Sequence, residues 1–117
     1  MKFACLVYGE EQMFDAFTPN QQKELNASAI AYDGGLEKSG HLIVAQALQS
    51  TRSSKSVKVR KRKAIVTDGP FAETKEQLLG FLLIEARDMA EALDIAAQSP
   101  LGELGTIEVR PTYNYRE

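Results

Sequence analysis

The sequence predicts a single α+β domain, residues 1–117, in which an antiparallel sheet carries two helices on one face. Apolar runs typical of strands alternate with amphipathic patterns typical of helices in the order β-α-β and again β-α-β. Two short β-branched runs between these halves indicate a hairpin. The chain is long enough for one hydrophobic core and too short for two. This order is that of a ferredoxin-like, or split βαβ, sheet.

The first half of the chain supplies one βαβ unit. Residues 2–8 are apolar without a polar break, which favours a strand covered on both faces. Residues 9–17 are expected to form a loop, and residues 41–47 a second strand. A helix begins at Thr18-Pro19-Asn20-Gln21, which provides a capping threonine, a proline for the first helical position and a capping-box glutamine. The apolar stripe of this helix is Leu25, Ala29, Tyr32 and Leu36.

The second half begins with the hairpin. Its strands are marked by Val57, Val59, Ile65 and Val66. The turn at Lys61-Arg62 lacks the Asn-Gly or Asp-Gly usually preferred, so the sequence leaves its geometry open. Residues 79–85 and 106–110 are predicted to be strands, and Asp88 with Glu91 forms a second capping box. The helix that follows ends before Pro100, and its predicted core face is Met89, Leu93 and Ala96.

The composition is that of a soluble protein. Hydrophobic residues make up 44% and charged residues 26%, and no run of eighteen apolar residues could span a membrane. Residues 1–9 carry one positive charge and are followed by Glu10-Glu11, a pattern too short and too quickly acidic for a signal peptide. We therefore expect a cytoplasmic protein without membrane contact.

The single cysteine and the single histidine limit the metal and redox chemistry. Cys5 lies in an apolar run, can form no internal disulfide, and is expected to be a small buried hydrophobic residue. His41 is distant from it along the chain, so the two residues do not suggest a zinc site. Nothing argues for a carboxylate-bound metal, and we expect no cofactor.

The apolar strands also predict a partner. Two helices can cover only one face of a four-stranded sheet, whereas residues 2–8 and 79–84 are apolar enough to be covered on both faces. A second copy of the chain is the economical cover for the other face. We therefore predict a homodimer joined sheet to sheet.

The run from Thr67 to Phe81 combines a turn, charged side chains and an aromatic residue between two apolar strands. Asp68-Gly69-Pro70 forms a rigid bend, because glycine permits a positive φ and proline lacks an N–H. The bend places Asp68, Phe71 and Glu73 at the end of a strand, where binding and catalytic groups are often found. On the residues alone, the interpretation we favour is that Asp68 only caps its own turn, as aspartates in turns commonly do.

The roles of the neighbouring residues remain open in the same way. Phe71 is interpreted first as a core residue, with a substrate platform as the alternative. Glu73 is expected to point inward beside Phe71, because side chains two residues apart share one side of an extended chain. Thr74 and Gln77 could instead open a third capping box, with Glu73 in a solvated first turn.

Residues 66–78, Val-Thr-Asp-Gly-Pro-Phe-Ala-Glu-Thr-Lys-Glu-Gln-Leu, resemble the signature of the YCII-related proteins, in the branch called DGPF-domain proteins. Met1–Gly9, Gly40–Gln49 and Glu108–Pro111 extend the resemblance over almost the whole chain. It implies a dimeric α+β barrel with a pocket between sheet and loops near the dimer seam. The biochemical role of that family is largely unsettled.

The resemblance also suggests candidate chemistry. YCII-related proteins have been interpreted as possible enzymes because of a histidine–aspartate pair in their cleft, and here the candidates are His41 and Asp68. Such a pair could transfer protons near neutral pH, with the carboxylate orienting the ring. A lone histidine is otherwise more often structural or exposed. Asp68 and Glu73 could also act as a paired acid and base, and Tyr8 could add a hydroxyl to the pocket.

A basic run extends from Arg52 to Lys63, with seven lysines and arginines and no acidic residue. This charge could steer an anionic ligand, and Arg52 is a candidate substrate contact. A solvated edge strand, in which Lys58 and Arg60 oppose aggregation, is the interpretation we favour. Binding of nucleic acid ranks last, because no aromatic residue is interleaved for base stacking.

Two functional hypotheses follow. The first is a small cofactor-independent enzyme that applies acid/base chemistry to a compact polar or aromatic metabolite. The second is a non-enzymatic ligand-binding or regulatory accessory protein, since DGPF-like proteins are often encoded beside sigma factors of the extracytoplasmic-function type. The Asp68→Asn variant separates them, because only the first hypothesis expects loss of turnover with intact folding.

Overall fold

The structure, a computed structural model, describes residues 1–116. Four strands form an antiparallel sheet in the order β2-β5-β1-β6, and β3 and β4 form a separate hairpin. This α+β architecture confirms the predicted ferredoxin-like fold. The elements in chain order are β1 (Lys2–Gly9), α1 (Glu11–Asp15), α2 (Pro19–Lys38), β2 (Leu42–Ala47), a 3-10 turn (Thr51–Ser53), β3 (Lys55–Arg60), β4 (Lys63–Asp68), β5 (Gln77–Glu85), α3 (Met89–Ala97) and β6 (Thr106–Pro111).

Helix α2 begins as its capping box predicts. The Thr18 hydroxyl accepts a hydrogen bond from the Gln21 N–H, and the Gln21 side chain accepts one from the Thr18 N–H. The predicted stripe of the helix is half-buried, and Tyr32 and Leu36 pack against the core. Despite its length, neither this helix nor any other in residues 1–116 is apolar enough to cross a membrane.

The core lies between the sheet and helices α2 and α3. Phe3 and Ile84 are fully buried, and Cys5 is buried beside them, as predicted for the lone cysteine. Burial raises the pKa of the Cys5 thiol. The Tyr32 hydroxyl donates a hydrogen bond of 2.6 Å to the Ile95 carbonyl, and burial raises its pKa to about 12.

The core face of α3 differs from the prediction. Ala92 and Ile95 are buried, whereas Met89 and Leu93 are 37% and 52% exposed. Small residues at positions 92 and 96 let the helix lie close to the sheet, and the side chains of Met89 and Leu93 are directed away from it. Of the three predicted core residues, Ala96 is buried as expected, and the prediction is wrong for Met89 and Leu93.

Two further local predictions are wrong. Residues 9–17 were expected to be a loop, but residues 11–15 form the short helix α1. The third capping box is also absent, because Gln77 begins β5 rather than a helix. Its side-chain amide instead donates hydrogen bonds to the Ala72 and Thr74 carbonyls, which hold the preceding loop together.

The sheet face opposite the helices is open in the protomer. Ala4 and Leu6 of β1 alternate with the core residues of that strand and pair with Leu83 and Phe81 of β5. Val44 of β2 pairs with Leu83 and is 36% exposed. These residues form an apolar surface, which we name the open face (Ala4, Leu6, Val44, Phe81 and Leu83).

The hairpin of β3 and β4 also has an uncovered apolar side. Val57 pairs with Val66 and Val59 with Ala64, so these four residues share one side, and each of the three valines is at least 60% exposed. At the tip, Lys61 and Arg62 have φ of 51° and 65°, so the turn is of type I′. Each residue other than glycine in this left-handed conformation lowers the stability of the fold by about 1 kcal/mol.

Candidate functional site

The Asp68 turn is held against the start of β3. Gly69 has a φ of 89°, its N–H donates a hydrogen bond of 2.8 Å to the Ser54 carbonyl, and its own carbonyl accepts one from the Ser56 hydroxyl. The Asp68 carboxylate accepts a hydrogen bond of 2.6 Å from the Lys55 ammonium. Asp68 therefore pairs with a cross-strand lysine, and the prediction that it caps its own turn is wrong.

Phe71 and Glu73 both project into solvent in the protomer. Phe71 is 87% exposed, so the prediction that it fills the core is wrong. Glu73 is exposed as well, contrary to its predicted inward direction. The alternation argument fails here because residues 69–76 form an irregular loop in which strand periodicity does not apply.

Tyr8 lies in an open cleft of about 820 Å³ between β1, β6 and this loop. A β-bulge between Val7 and Tyr8 shifts the register of β1 against β5 at this point. The lining residues are mostly polar or charged: Tyr8, Glu10, Thr74, Lys75, Glu76, Thr106 and Glu108.

Arg52 lines a neighbouring polar cleft of about 330 Å³ that shares Glu10, Thr74 and Lys75 with the Tyr8 cleft. The hydrogen bond and charge of Asp15, whose carboxylate lies 3.4 Å from the guanidinium, raise the pKa of Arg52. Tyr8 and Arg52 therefore lie on two sides of the same loop. Within residues 1–116 no three histidine, cysteine or carboxylate side chains come together as a metal site.

His41 lies just before β2 and has partners that the sequence did not reveal. Its Nδ1 is 2.8 Å from the Glu85 carbonyl oxygen and 3.9 Å from the Glu91 carboxylate. The Glu91 carboxylate also accepts from the Arg87 N–H and pairs with the Arg87 guanidinium at 2.9 Å. Donation from Nδ1–H to a carbonyl leaves Nε2 free to accept a proton.

Glu91 was predicted only as a capping-box residue. In the structure Asp88 does cap α3, by accepting from the Glu91 N–H at 2.9 Å, but the Glu91 side chain turns toward Arg87 and His41. The pairing of His41 with Glu91 depends on how α3 returns to the end of β5. No sequence spacing carries that information.

Within one protomer His41 and Asp68 lie near opposite ends of β2. His41 precedes the strand at the end where β2 meets Ile84 of β5, and the hairpin that carries Asp68 follows the other end. A strand of this length spans about 20 Å. A single protomer therefore does not bring the two residues together.

Comparisons with known proteins cover nearly the whole chain. The YCII-related domain matches residues 1–116. An uncharacterised protein of Rhizobium meliloti (strain 1021) is 34% identical over 118 aligned residues, which cover 99% of this chain and 95% of that protein. Assignment to the DGPF branch stays a prediction from the residues of the Asp68 turn. The chain belongs to the YCII-related family, whose domain spans the whole of the described structure.

Proposed function

We propose that this protein is a homodimer that binds a small metabolite in a pocket at the dimer seam, around the Asp68-Gly69-Pro70-Phe71 turn. The observation that supports this most is the 87% exposure of Phe71. A large aromatic side chain held by a proline-stiffened bend gains little from contact with water and much from cover by a partner or ligand.

The shape of the protomer supports the dimer. Its radius of gyration is 16.2 Å, whereas a compact domain of this length has about 13 Å. The valine side of the hairpin is exposed, and the open face is half-buried at Ala4, Leu6, Phe81 and Leu83 and exposed at Val44. Apolar patches of this kind often mark protein–protein contacts. A two-fold dimer would cover the same patch on both copies.

The polar groups near the turn fit a compact polar or aromatic ligand. Tyr8 can offer a hydroxyl, and Phe71 can offer a ring face. Arg52 is bound to Asp15 only through a long, exposed ion pair of 3.4 Å. Such pairs contribute little stability, so an anionic group of a ligand could replace Asp15.

The test compares wild type with Phe71→Ser, and with Ile30→Ser as the matched control, since Ile30 is 72% exposed on α2. Sedimentation velocity at micromolar concentration is expected to give a dimer for wild type and the control, and a weakened dimer for Phe71→Ser. A thermal-shift screen of metabolites is expected to find ligands that stabilise wild type and the control but not Phe71→Ser. A monomeric wild type, or a Phe71→Ser protein that behaves like the control, would refute the proposal.

Acid/base catalysis is the second candidate, and the orientation of His41 favours it. A general base needs a free ring nitrogen, and the bond from Nδ1 to Glu85 leaves Nε2 in that state. A two-fold axis perpendicular to the strands would place the His41 end of one protomer opposite the Asp68 end of its partner. The acid/base pair would then form across the seam.

Mixed dimers test this second candidate with any ligand that the screen finds. His41→Ala and Asp68→Asn proteins are each expected to lack turnover. If the pair forms across the seam, mixing them restores one intact site in each mixed dimer. Mixtures that stay inactive would exclude a shared site. Ligand binding by wild type without any turnover would favour a non-enzymatic, regulatory protein.

A further inference from the structure

A further cleft lies on the helix side of the sheet. Tyr8, His41, Arg52, Asp68 and Phe71 do not line it, although its outer part shares Glu11 and Asp15 with the Arg52 cleft. It consists of two adjoining cavities of about 120 Å³ and about 330 Å³. Helix α2 covers it, strands β2 and β5 form its floor, and the segment after α3 forms one wall. Both cavities are lined by Ala29, Ala47, Leu79 and Leu101.

Small residues create the space in the inner, smaller cavity. Ala29 on α2 faces Ala45 and Ala47 on β2, so no long side chain fills the gap between helix and sheet. Gly80 on the floor brings the strands together, because a Cβ there would lie 2.7 Å from the Gln46 carbonyl oxygen. A cavity of about 150 Å³ with apolar walls can hold a benzene ring, so this one suits a group of similar size.

Asp33 is the charged residue of the inner cavity. Asp33 is half-buried, and no side-chain hydrogen bond or ion pair within residues 1–116 involves its carboxylate. Loss of water contact raises the pKa of this carboxyl group. The nearby polar groups are already engaged, since the Tyr32 hydroxyl donates to Ile95 and the Ser99 hydroxyl accepts from the Leu101 N–H. A carboxylate beside apolar walls is stabilised by a cation or an N–H donor.

The charged residues that line the outer cavity are negative, as Asp33 is in the inner cavity. Glu11 and Asp15 line it, whereas neither cavity is lined by a lysine or an arginine. Glu11 is engaged by Ser50 and Thr51, and Asp15 by Arg52, so Asp33 is the carboxylate left for a ligand. This arrangement favours cations and repels anions.

We propose that this cleft binds a compact primary amine with an apolar or aromatic body, its ammonium group at Asp33 and its body in the inner cavity. The inner cavity shares no lining residue with the Tyr8 and Arg52 clefts, so the amine site is distinct from the pocket proposed at the dimer seam. The amine site takes a cationic ligand, whereas a ligand held by Arg52 would carry an anionic group.

The probe for this proposal is 2-phenylethylamine, added to uniformly ¹⁵N-labelled protein and followed by two-dimensional NMR. Backbone amides of Ala29, Ala47 and Leu101 are expected to shift in a saturable way. The neutral 2-phenylethanol and the anionic 3-phenylpropionate have similar bodies, and they are expected to bind at least about tenfold more weakly because they lack the charge-assisted bond.

Two variants of the cleft complete the test. Asp33→Asn is expected to weaken amine binding about tenfold and to leave 2-phenylethanol unaffected. Ala29→Leu fills the space between helix and sheet without changing the carboxylate, and it is expected to weaken both probes. Phe71→Ser is expected to bind the amine like wild type, which separates this site from the seam.

Three outcomes would overturn the proposal. The first is equal affinity of wild type and Asp33→Asn for the amine. The second is a set of shifts centred on Tyr8 and Thr74 instead of the cleft. The third is no saturable shift at amine concentrations of ~10 mM, which would place any affinity below the weakest specific range.

Discussion

At the scale of single residues, two glycines have opposite surroundings. A Cβ at Gly105 would lie 2.0 Å from the Tyr8 carbonyl oxygen, because the start of β6 is pressed against β1. Gly34 lies inside α2, and a Cβ there would meet nothing within 4 Å. Gly105 is therefore required by the backbone, whereas Gly34 only weakens its helix.

Alanine at these two positions should change stability in opposite directions. Gly105→Ala is expected to lower the free energy of unfolding by at least about 2 kcal/mol, through displacement of backbone. Gly34→Ala is expected to raise it by about 0.5–1 kcal/mol, because alanine favours the helix and restricts the unfolded chain. Urea denaturation of both variants measures this, and two variants that change in the same direction would contradict it.

The residues of the candidate site show where sequence reasoning ends. The bend at Asp68 follows from local chemistry, since Gly69 supplies a positive φ and Pro70 lacks an N–H. The partner of Asp68 is Lys55, thirteen residues earlier, and it depends on the register of the hairpin. The partners of His41 depend on the packing of α3. Local patterns therefore predicted the turn but not the contacts.

At the scale of elements, one carboxylate holds α1 in place. Glu11 accepts hydrogen bonds of 2.9 Å from the Ser50 hydroxyl and 2.8 Å from the Thr51 N–H, so it joins the short helix to the segment before β3. The hydrogen bond from the Thr51 backbone is the main cause that lowers the pKa of Glu11 below its ordinary value of 4.5. Helix α1 has five residues, too few to be stable without such a contact.

The Glu11→Gln variant should therefore lose stability in a pH-dependent way. Because the folded pKa is depressed, the contribution of Glu11 is fully present above pH 4.5 and is lost as the pH falls through the folded pKa. At pH 7 we expect the free energy of unfolding to fall by about 1 kcal/mol, since water partly screens the hydrogen bonds that Glu11 accepts. Urea denaturation from pH 7 to pH 3 should show the difference from wild type shrinking on acidification.

The control for this experiment is Glu24→Gln, because Glu24 is exposed on α2. Its difference from wild type is expected to stay near zero across the same pH range. A Glu11→Gln difference that stays constant with pH would mean that the carboxylate charge does not stabilise α1.

The helices and strands that were predicted most accurately are the long ones with a regular apolar pattern. Strand β1 and helix α2 have long, regular apolar patterns, and both lie where the sequence placed them. Helix α1 has too few turns to produce a period, so it was missed. Helix α3 was located correctly, but only Ala96 of its predicted core face is buried, because a nine-residue helix has too few turns to fix which apolar positions face the sheet.

At the scale of the whole molecule, the sequence predicted that the second face of the sheet needs a cover. The structure has both long helices on one face and leaves Leu6, Phe81 and Leu83 without a helix above them. We predict that a second copy of the chain covers this face, and sedimentation velocity tests that prediction. Periodicity identifies an apolar face, but it carries no information about which surface lies against it.

The sheet order β2-β5-β1-β6 alternates strands from before the hairpin with strands from after it. Strands β1 and β2 precede the hairpin and are separated by β5, whereas β5 and β6 follow it and are separated by β1. A chain cut at the hairpin tip therefore gives two pieces, neither of which contains a neighbouring pair of sheet strands. Each piece can form the main sheet only with the other.

Limited trypsin digestion tests this, because the tip Arg60-Lys61-Arg62-Lys63 is exposed and rich in cleavage sites. The nicked protein is expected to separate into two fragments on a denaturing gel but to elute as one folded species. Fragments produced separately are expected to be unfolded alone and to fold on mixing. Fragments that separate under native conditions would contradict this. The hairpin tip thus divides the chain into two complementing halves, and a sensor could be built by fusing each half to a different protein.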